Sequence, residues 1–381
     1  MKIAILGAGL VGGPMAIDLS KDKKFKVTSV DINGAALRKL NKEHPDIEVL
    51  EKDLSMPDNV TKIVSGFDMV INAVPGFIGF QTLKAIIKEK KNVVDIAFFP
   101  EDSFELDELA KENGVTAIVD CGVAPGMSNV LIGHVDSILD ETQNVITYVG
   151  GLPELRQWPY EYKAVFSPID VIEEYTRPAR YVDNGKMVVR PALSDSELLD
   201  FPGIGTLEAF NSDGLRTIAK TINAPNMKEK TLRYIGHIEK IAVLRETGFF
   251  DKEEIEINGT KIRPIDFTTK LLLPKWQMKE DEVDITVMKV IVEGKVDGVC
   301  KRYTYDLFDK FDPETKVHSM ARTTGYTATV VLRMLADGMY KQTGISPPEY
   351  LGKHQACVEY ILSGLKEHKI YYQETVETLD L

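Results

Sequence analysis

Gly7-Ala8-Gly9-Leu10-Val11-Gly12 stands between a short apolar run, Ile3–Leu6, and a helical pattern that opens at Pro14. This spacing suits a pyrophosphate. Gly7 permits the tight turn, Gly9 lets phosphate approach the backbone near Leu10 and Val11, and Gly12 lets helix and strand pack closely. Asp31 ends the next β-rich run, 24 residues after Gly7. A carboxylate there accepts hydrogen bonds from ribose hydroxyls and repels a 2′-phosphate, which points to NAD; the plainer reading is a turn aspartate. Asp53-Leu54 follows a third strand and edges the adenine pocket, or is an ordinary loop. Ala73-Val74-Pro75 closes a fourth strand and fits a backbone that walls the cofactor, since ligands bind outside carboxyl strand ends.

Asp95 and Asp120 end the fifth and sixth strands, at the nicotinamide end of such a crevice, or else cap the elements that follow. Residues 121–129, Cys-Gly-Val-Ala-Pro-Gly-Met-Ser-Asn, form a glycine-bearing turn at a domain junction. Val123 and Pro125 of this turn are assigned to the cofactor and Asn129 to the substrate. Cys121 has no base beside it in sequence and reads as a small buried thiol. Arg233, His237 and Arg322 are isolated basic residues in Gly- or Thr-rich surroundings. An amino-acid substrate needs a cation for its α-carboxylate, and Arg offers a bidentate match; the plainer alternative for each is an ion pair. The acidic stretch Asp170–Glu174 reads as a solvated helix face.

The elements that must position these residues follow from periodicity. Strands are expected at 3–6, 26–31, 47–50, 69–73, 92–96 and 116–120, alternating with helices at 14–21, 34–42, 58–65, 82–89 and 106–113. Such alternation means a parallel sheet. From Val145 the pattern changes. Residues 145–149, 255–257, 285–292 and 303–308 read as strands of a mainly antiparallel sheet, with a hairpin at Asn258-Gly259. The segment 153–230 reads as loops and short helices, and 327–340 and 357–366 as amphipathic helices. The fold class expected is α/β: a Rossmann domain over 1–125, a second α/β domain over 126–325, and C-terminal helices over 326–381 returning to the first domain.

Net charge is −12, which argues against nucleic acid and anionic membrane surfaces as partners. The three cysteines, Cys121, Cys300 and Cys357, show no CxxC spacing, so neither a disulfide framework nor a metal site is expected. The first apolar run is too short and glycine-broken for a signal peptide, no run approaches a membrane span, and a cytoplasmic location is expected. A homodimer or larger homo-oligomer acting on a small amino-acid substrate is expected.

Taken in order, GAGLVG, DCGVAPGMSN (120–129), YVGGLP (148–153), FSPIDVIEEYTRPA (166–179), GTLEAFNSDGL (205–215), KTLRYIGHIEK (230–240), EINGTKIRP (256–264) and SMARTTGYT (319–327) resemble the saccharopine dehydrogenase-like family and, within it, the lysine 6-dehydrogenases. The resemblance implies a nicotinamide cofactor, a Rossmann domain, a mainly antiparallel second domain and amine substrates related to lysine. Saccharopine-handling relatives usually carry a Trp in an SWSP-like segment, where this chain reads Val165-Phe166-Ser167-Pro168. That departure, with Asp170, Glu173 and Glu174 nearby, leans toward lysine. The reaction implied is NAD-dependent oxidative deamination of the lysine ε-amine to 2-aminoadipate 6-semialdehyde and ammonia. Asp95 or Asp120 would hold or deprotonate the amine, with His134 and His237 as further candidates, and Arg233 or Arg322 would grip the carboxylate. The alternatives are a saccharopine dehydrogenase or reductase and a non-catalytic NAD(H) sensor.

Overall fold

The computed structural model describes residues 1–166, 168–279 and 281–379, so Ser167 of the SWSP-like segment lies outside the described residues. The chain begins with β1 (Lys2–Leu6), α1 (Gly12–Ser20), β2 (Lys26–Asp31), α2 (Gly34–Glu43), β3 (Glu48–Glu51), α3 (Pro57–Val64), β4 (Met69–Asn72), α4 (Gly76–Lys88), β5 (Asn92–Asp95), α5 (Asp107–Glu112), β6 (Thr116–Ile118) and α6 (Met127–Ile138). It continues with β7 (Glu141–Pro153), α7 (Pro168–Thr176), β8 (Ala179–Asp183), β9 (Lys186–Arg190), β10 (Glu197–Phe201), β11 (Gly205–Asn211), α8 (Ile218–Thr221), β12 (Asn226–Tyr234), α9 (His237–Glu246), β13 (Ile255–Ile257), β14 (Thr260–Ile262), α10 (Pro264–Trp276), β15 (Asp284–Val296) and β16 (Val299–Lys310). It ends with α11 (Ser319–Ala336), β17 (Gly344–Ser346), α12 (Pro348–Gly352), α13 (Gln355–Glu367) and β18 (Tyr372–Thr378). Two compact units result: Met1–Leu139 with Met320–Tyr372, and Asp140–Ser319 with Gln373–Leu381. Among the described residues, no helix is long and apolar enough to cross a membrane.

In the first unit, a parallel sheet runs in the order β17-β6-β5-β4-β1-β2-β3, the doubly wound arrangement. Its central strands are apolar runs rather than alternations because helices cover both faces. Leu6, Val30, Val70, Val93 and Ala117 share one core with Val60, Leu83 and Ile86 of α3 and α4. The first compact unit runs on through α6 to Leu139. The reason is packing of α6: a Cβ on Gly133 would stand 2.2 Å from the Glu349 carbonyl oxygen, and one on Gly352 2.2 Å from that of Val130. Only glycine permits this approach of α6 to α12, so α6 stays with the first unit. The expected C-terminal segment 326–381 also divides, its last residues joining the second unit.

Helix α1 is held by α11 along its length. A Cβ on Gly325 would stand 3.0 Å from Met15 Cγ and 3.3 Å from Val11 Cγ1. At the far end, the buried Asp18 carboxylate accepts from Thr329 Oγ1 at 2.6 Å and from an Arg333 guanidinium nitrogen at 2.7 Å. A second Arg333 nitrogen reaches the Asp18 carbonyl at 3.0 Å.

The second unit holds a mixed sheet with the main order β10-β11-β12-β7-β15-β16-β18 and β8–β9 attached to β12. Pairing is antiparallel for β10–β11, β11–β12, β7–β15 and β15–β16, and parallel for β7–β12. The segment expected as loops thus contributes β8 to β12. The β13–β14 hairpin turns at Asn258 and Gly259, both at positive φ (51° and 77°), as the Asn-Gly pair requires.

Candidate functional site

The first unit builds a dinucleotide cradle from Gly7 to Gly12. Gly7 has φ 111°, and a Cβ there would stand 2.4 Å from the Ala73 carbonyl oxygen, so the loop abuts the end of β4. A Cβ on Gly12 would meet the Gly7 carbonyl oxygen at 2.1 Å. Gly9, by contrast, has nothing within 4 Å of where its Cβ would be. Leu10 is exposed, and Val11 caps α1 with no side-chain hydrogen bond. An open glycine and an uncapped helix N-terminus fit the pyrophosphate of a dinucleotide.

Asp31 sits at the carboxyl end of β2. Its carboxylate accepts from the Ala8 N–H at 2.6 Å and the Asn33 N–H at 2.7 Å, tying the glycine loop to the strand end. Asp53 accepts from the Ser55 N–H at 2.9 Å and shapes its own turn. Leu54 and Val74 join the core, while Pro75 precedes α4.

At the ends of β5 and β6, Asp95 is fully buried. It accepts from Asn72 Nδ2 and from the Ala97 N–H, both at 2.7 Å. Asp120 is buried as well, with φ 52°. Burial, with the neighbouring Asp95 and Asp120 charges, pushes the Cys121 thiol far above its ordinary range, so it stays protonated and inert. In the next turn the Gly122 N–H donates to the Pro125 carbonyl at 3.1 Å and the Ser128 N–H to that of Val123 at 3.0 Å. Asn129 Oδ1 accepts from the Gly126 N–H at 3.1 Å and its Nδ2 donates to Glu349 at 3.0 Å, so this side chain is engaged within its own unit. Arg322 likewise donates to the His368 carbonyl at 2.8 Å.

The second unit brings Arg233 and His237 together through Tyr175. Arg233 Nε donates to the Tyr175 hydroxyl at 3.0 Å, and that hydroxyl lies 2.9 Å from His237 Nε2. The guanidinium also donates to Glu174 at 2.6 Å and lies 4.6 Å from the centre of the Tyr162 ring. Trp276 packs edge-on against Tyr160 and Tyr162. Burial works against the Arg233 charge, but Tyr175, Tyr162 and Glu174 outweigh it and hold the group cationic. His237 is the opposite case: burial, then Arg233, drives its pKa down to about 3. With Nδ1 2.8 Å from the Tyr160 carbonyl oxygen and Nε2 on Tyr175, it is a neutral spacer rather than a ready base.

Several members of this cluster were not legible as functional. Glu174 belongs to a stretch read as a solvated helix face, yet its side chain is only 20% exposed and faces Arg233. Glu229, four residues before Arg233 on β12, is buried, and its Oε2 has no hydrogen-bond partner. Its pKa is raised to about 8 by burial, then by Glu174 and Asp213. Arg180 makes a two-pronged contact with Asp213 (2.7 and 2.8 Å), and Arg177 lies 3.7 Å from Glu173. The sequence offers no periodic signal for Arg233–Glu174 or Arg180–Asp213, because each joins residues of different elements; Arg177 and Glu173, at i,i+4 spacing, are the exception.

Residues 3–118 match the saccharopine dehydrogenase NADP binding domain and residues 122–370 the saccharopine dehydrogenase C-terminal domain. The mitochondrial alpha-aminoadipic semialdehyde synthase of Rattus norvegicus is 28% identical over 71% of this chain, and the match spans only 31% of that protein's length. Carboxyaminopropylagmatine dehydrogenase of Synechocystis sp. is 23% identical over 97% of both chains. The apo saccharopine dehydrogenase (L-Glu forming) structure from Saccharomyces cerevisiae shares the fold, with a TM-score of 0.80, 99% coverage of both chains and 19% identity. With family matches to both domains, the second alone spanning more than half its length, the chain belongs to the saccharopine dehydrogenase family.

Proposed function

We propose that the chain is an NAD-dependent dehydrogenase that oxidises the ε-carbon of L-lysine. Lysine, NAD and water give 2-aminoadipate 6-semialdehyde, ammonium, NADH and a proton. The observation that carries this reading is the buried Arg233–Glu174 pair. An amino-acid head group is a zwitterion, and an adjacent guanidinium and carboxylate are its complement. The name of the rat relative also speaks of alpha-aminoadipic semialdehyde, the aldehyde proposed here as product.

A bound nicotinamide supplies the hydride acceptor, and the protein supplies the rest. The Gly7–Gly12 loop and the end of α1 bind the pyrophosphate. Asp120 takes a proton from the ε-ammonium, because only the neutral amine has a lone pair to drive hydride loss. Asp95, through Asn72 and Ala97, fixes the end of β5 against the following loop. Water then hydrolyses the iminium and releases ammonia.

A second reading, a saccharopine dehydrogenase, is favoured by Arg177, Arg180 and Arg216, which gather with Asp213 beside Glu229 in the same unit as Arg233. More cations suit a substrate with more carboxylates. Arg177, Arg180 and Arg233 face Glu173, Asp213 and Glu174 of the chain itself, which favours lysine. The deciding assay follows NADH absorbance with L-lysine, L-ornithine and saccharopine at equal concentration. Lysine is expected to reduce NAD, faster above neutral pH, with ammonia released in step. Turnover of saccharopine without turnover of lysine overturns the lysine reading.

Nucleotide choice gives a separate prediction. Asp31→Ala is expected to weaken NADH binding by about tenfold, the worth of one buried hydrogen-bonding group at the low end of its range, and to narrow the gap to NADPH. Fluorescence titration measures both constants. Equal wild-type affinities for the two nucleotides would remove Asp31 as the discriminator.

A further inference from the structure

We infer that Glu51 is a second determinant of nucleotide choice, acting partly by holding Arg38. The inference rests on the reading that the Gly7–Gly12 loop binds a dinucleotide with Asp31 at its ribose. Asp31 and Glu51 are register partners at the carboxyl ends of β2 and β3, and the Lys52 N–H donates to the Asp31 carbonyl at 2.9 Å. Two carboxylates therefore stand on neighbouring strands at one edge of the cradle. The Ala8 N–H on Asp31 links that edge to the glycine loop.

Glu51 also leans over the start of α2. A Cβ on Gly34 would stand 1.9 Å from Glu51 Oε2 and 2.9 Å from an Arg38 guanidinium nitrogen. Arg38 and Glu51 lie 3.4 Å apart as an ion pair. The α2 N-terminus is already served by Asn33, whose Oδ1 accepts from the Ala36 N–H at 3.1 Å.

An NADP 2′-phosphate would bring close to two negative charges to this edge. It would meet Asp31 and Glu51, while the arginine suited to receive it is engaged by Glu51. Both partners are well exposed, with side chains 74% and 61% accessible, so the pair itself adds little to stability. Its consequence is selectivity. Glu51 contributes one negative charge, worth roughly tenfold against a phosphate dianion a few ångströms away in partly solvated surroundings, and it holds Arg38 back by the strength of an exposed pair, at most about fivefold. Glycine at position 34 leaves room for this arrangement, and a larger residue there would push Glu51 off Arg38.

The test measures NADH and NADPH dissociation constants by fluorescence titration of the full chain, with no amino-acid substrate present. Glu51→Gln keeps the shape and removes the charge. It is expected to tighten NADPH by about tenfold or more at low salt, to leave NADH within about twofold, and to lose most of the gain at high ionic strength. The double variant Glu51→Gln/Arg38→Gln is expected to lose much of the gain, because the freed arginine supplies part of it. An NADPH-to-NADH ratio unchanged by Glu51→Gln overturns the inference. Full retention of the gain in the double variant overturns the role of Arg38. Wild-type preference for NADPH overturns the NAD reading itself, which failure at Glu51 alone would leave standing. The substrate assay bears on neither result.

Discussion

Asp120→Asn is expected to cut turnover by about 10²–10⁴-fold, the usual contribution of a positioned general base, while NADH still binds with near wild-type affinity. The expectation rests on placement. Asp120 lies two residues beyond β6 of a doubly wound sheet, outside whose carboxyl ends ligands bind, and it is buried at a positive φ of 52° that asparagine also tolerates. Asp95→Asn should behave differently. One oxygen can still accept from the Ala97 N–H, but the new amide group would confront the donor Nδ2 of Asn72. The expected cost is about 1–3 kcal/mol of stability from an unsatisfied buried group. Steady-state kinetics, nucleotide titration and thermal unfolding on both variants separate the roles. Wild-type turnover in Asp120→Asn removes it from the mechanism.

The second large effect concerns Glu229. In the folded chain it keeps its proton until about pH 8, whereas in the unfolded chain it ionises near the ordinary 4.5. Its contribution to stability is therefore complete below about pH 4.5 and is lost as pH rises toward 8. The raised value amounts to several kcal/mol, on the order of 3–5. Glu229→Gln preserves the shape and abolishes the slope. The variant and the wild type should have similar melting temperatures at pH 5, and the variant should melt clearly higher at pH 8–9. Parallel melting curves across that range would mean that Glu229 ionises freely in the folded chain. His237 works from the other side. Its folded pKa of about 3 means a contribution present above about pH 6.5 and lost as pH falls toward 3. Glu229→Gln leaves this acid limb in place, so only the alkaline limb of the stability profile should change.

The sequence disclosed the first unit well because its strands are buried on both faces and read as apolar runs with glycine and aspartate at their ends. The ends of β1, β2 and β5 carry Gly7, Asp31 and Asp95 where periodicity placed them, whereas β6 stops at Ile118, two residues short of Asp120. It missed β17, a three-residue edge strand paired with β6 across more than two hundred residues, because three residues carry no period. It also missed α6, whose start coincides with a glycine-rich turn, and it began α11 too late. The second unit was harder. Strands β8 to β12 lie in a segment rich in Pro and aromatics, where alternation is broken, so 153–230 read as loops. The site there suffered most. Glu174 pairs with an arginine 59 residues away, and a local pattern of acids on a helix looks the same whether it faces water or a buried guanidinium. Asn129 and Arg322 read as substrate ligands because they are polar and sit among glycines or threonines, and their contacts within the chain carry no local signal. Their partners, Glu349 and the His368 carbonyl, lie far along the chain.

The contact between Asp18 and Arg333 spans 315 residues. At ribosomal speeds of about 5–20 residues per second, roughly 15–60 s pass between the synthesis of the acid and the arrival of its cation. For that interval the helix behind the glycine loop has no α11 to lie against, and Asp18 must stay hydrated. Nucleotide present during translation should therefore find a competent cradle only near the end of synthesis. Nascent chains stalled before residue 333 should bind it weakly even though every glycine of the loop has long been made.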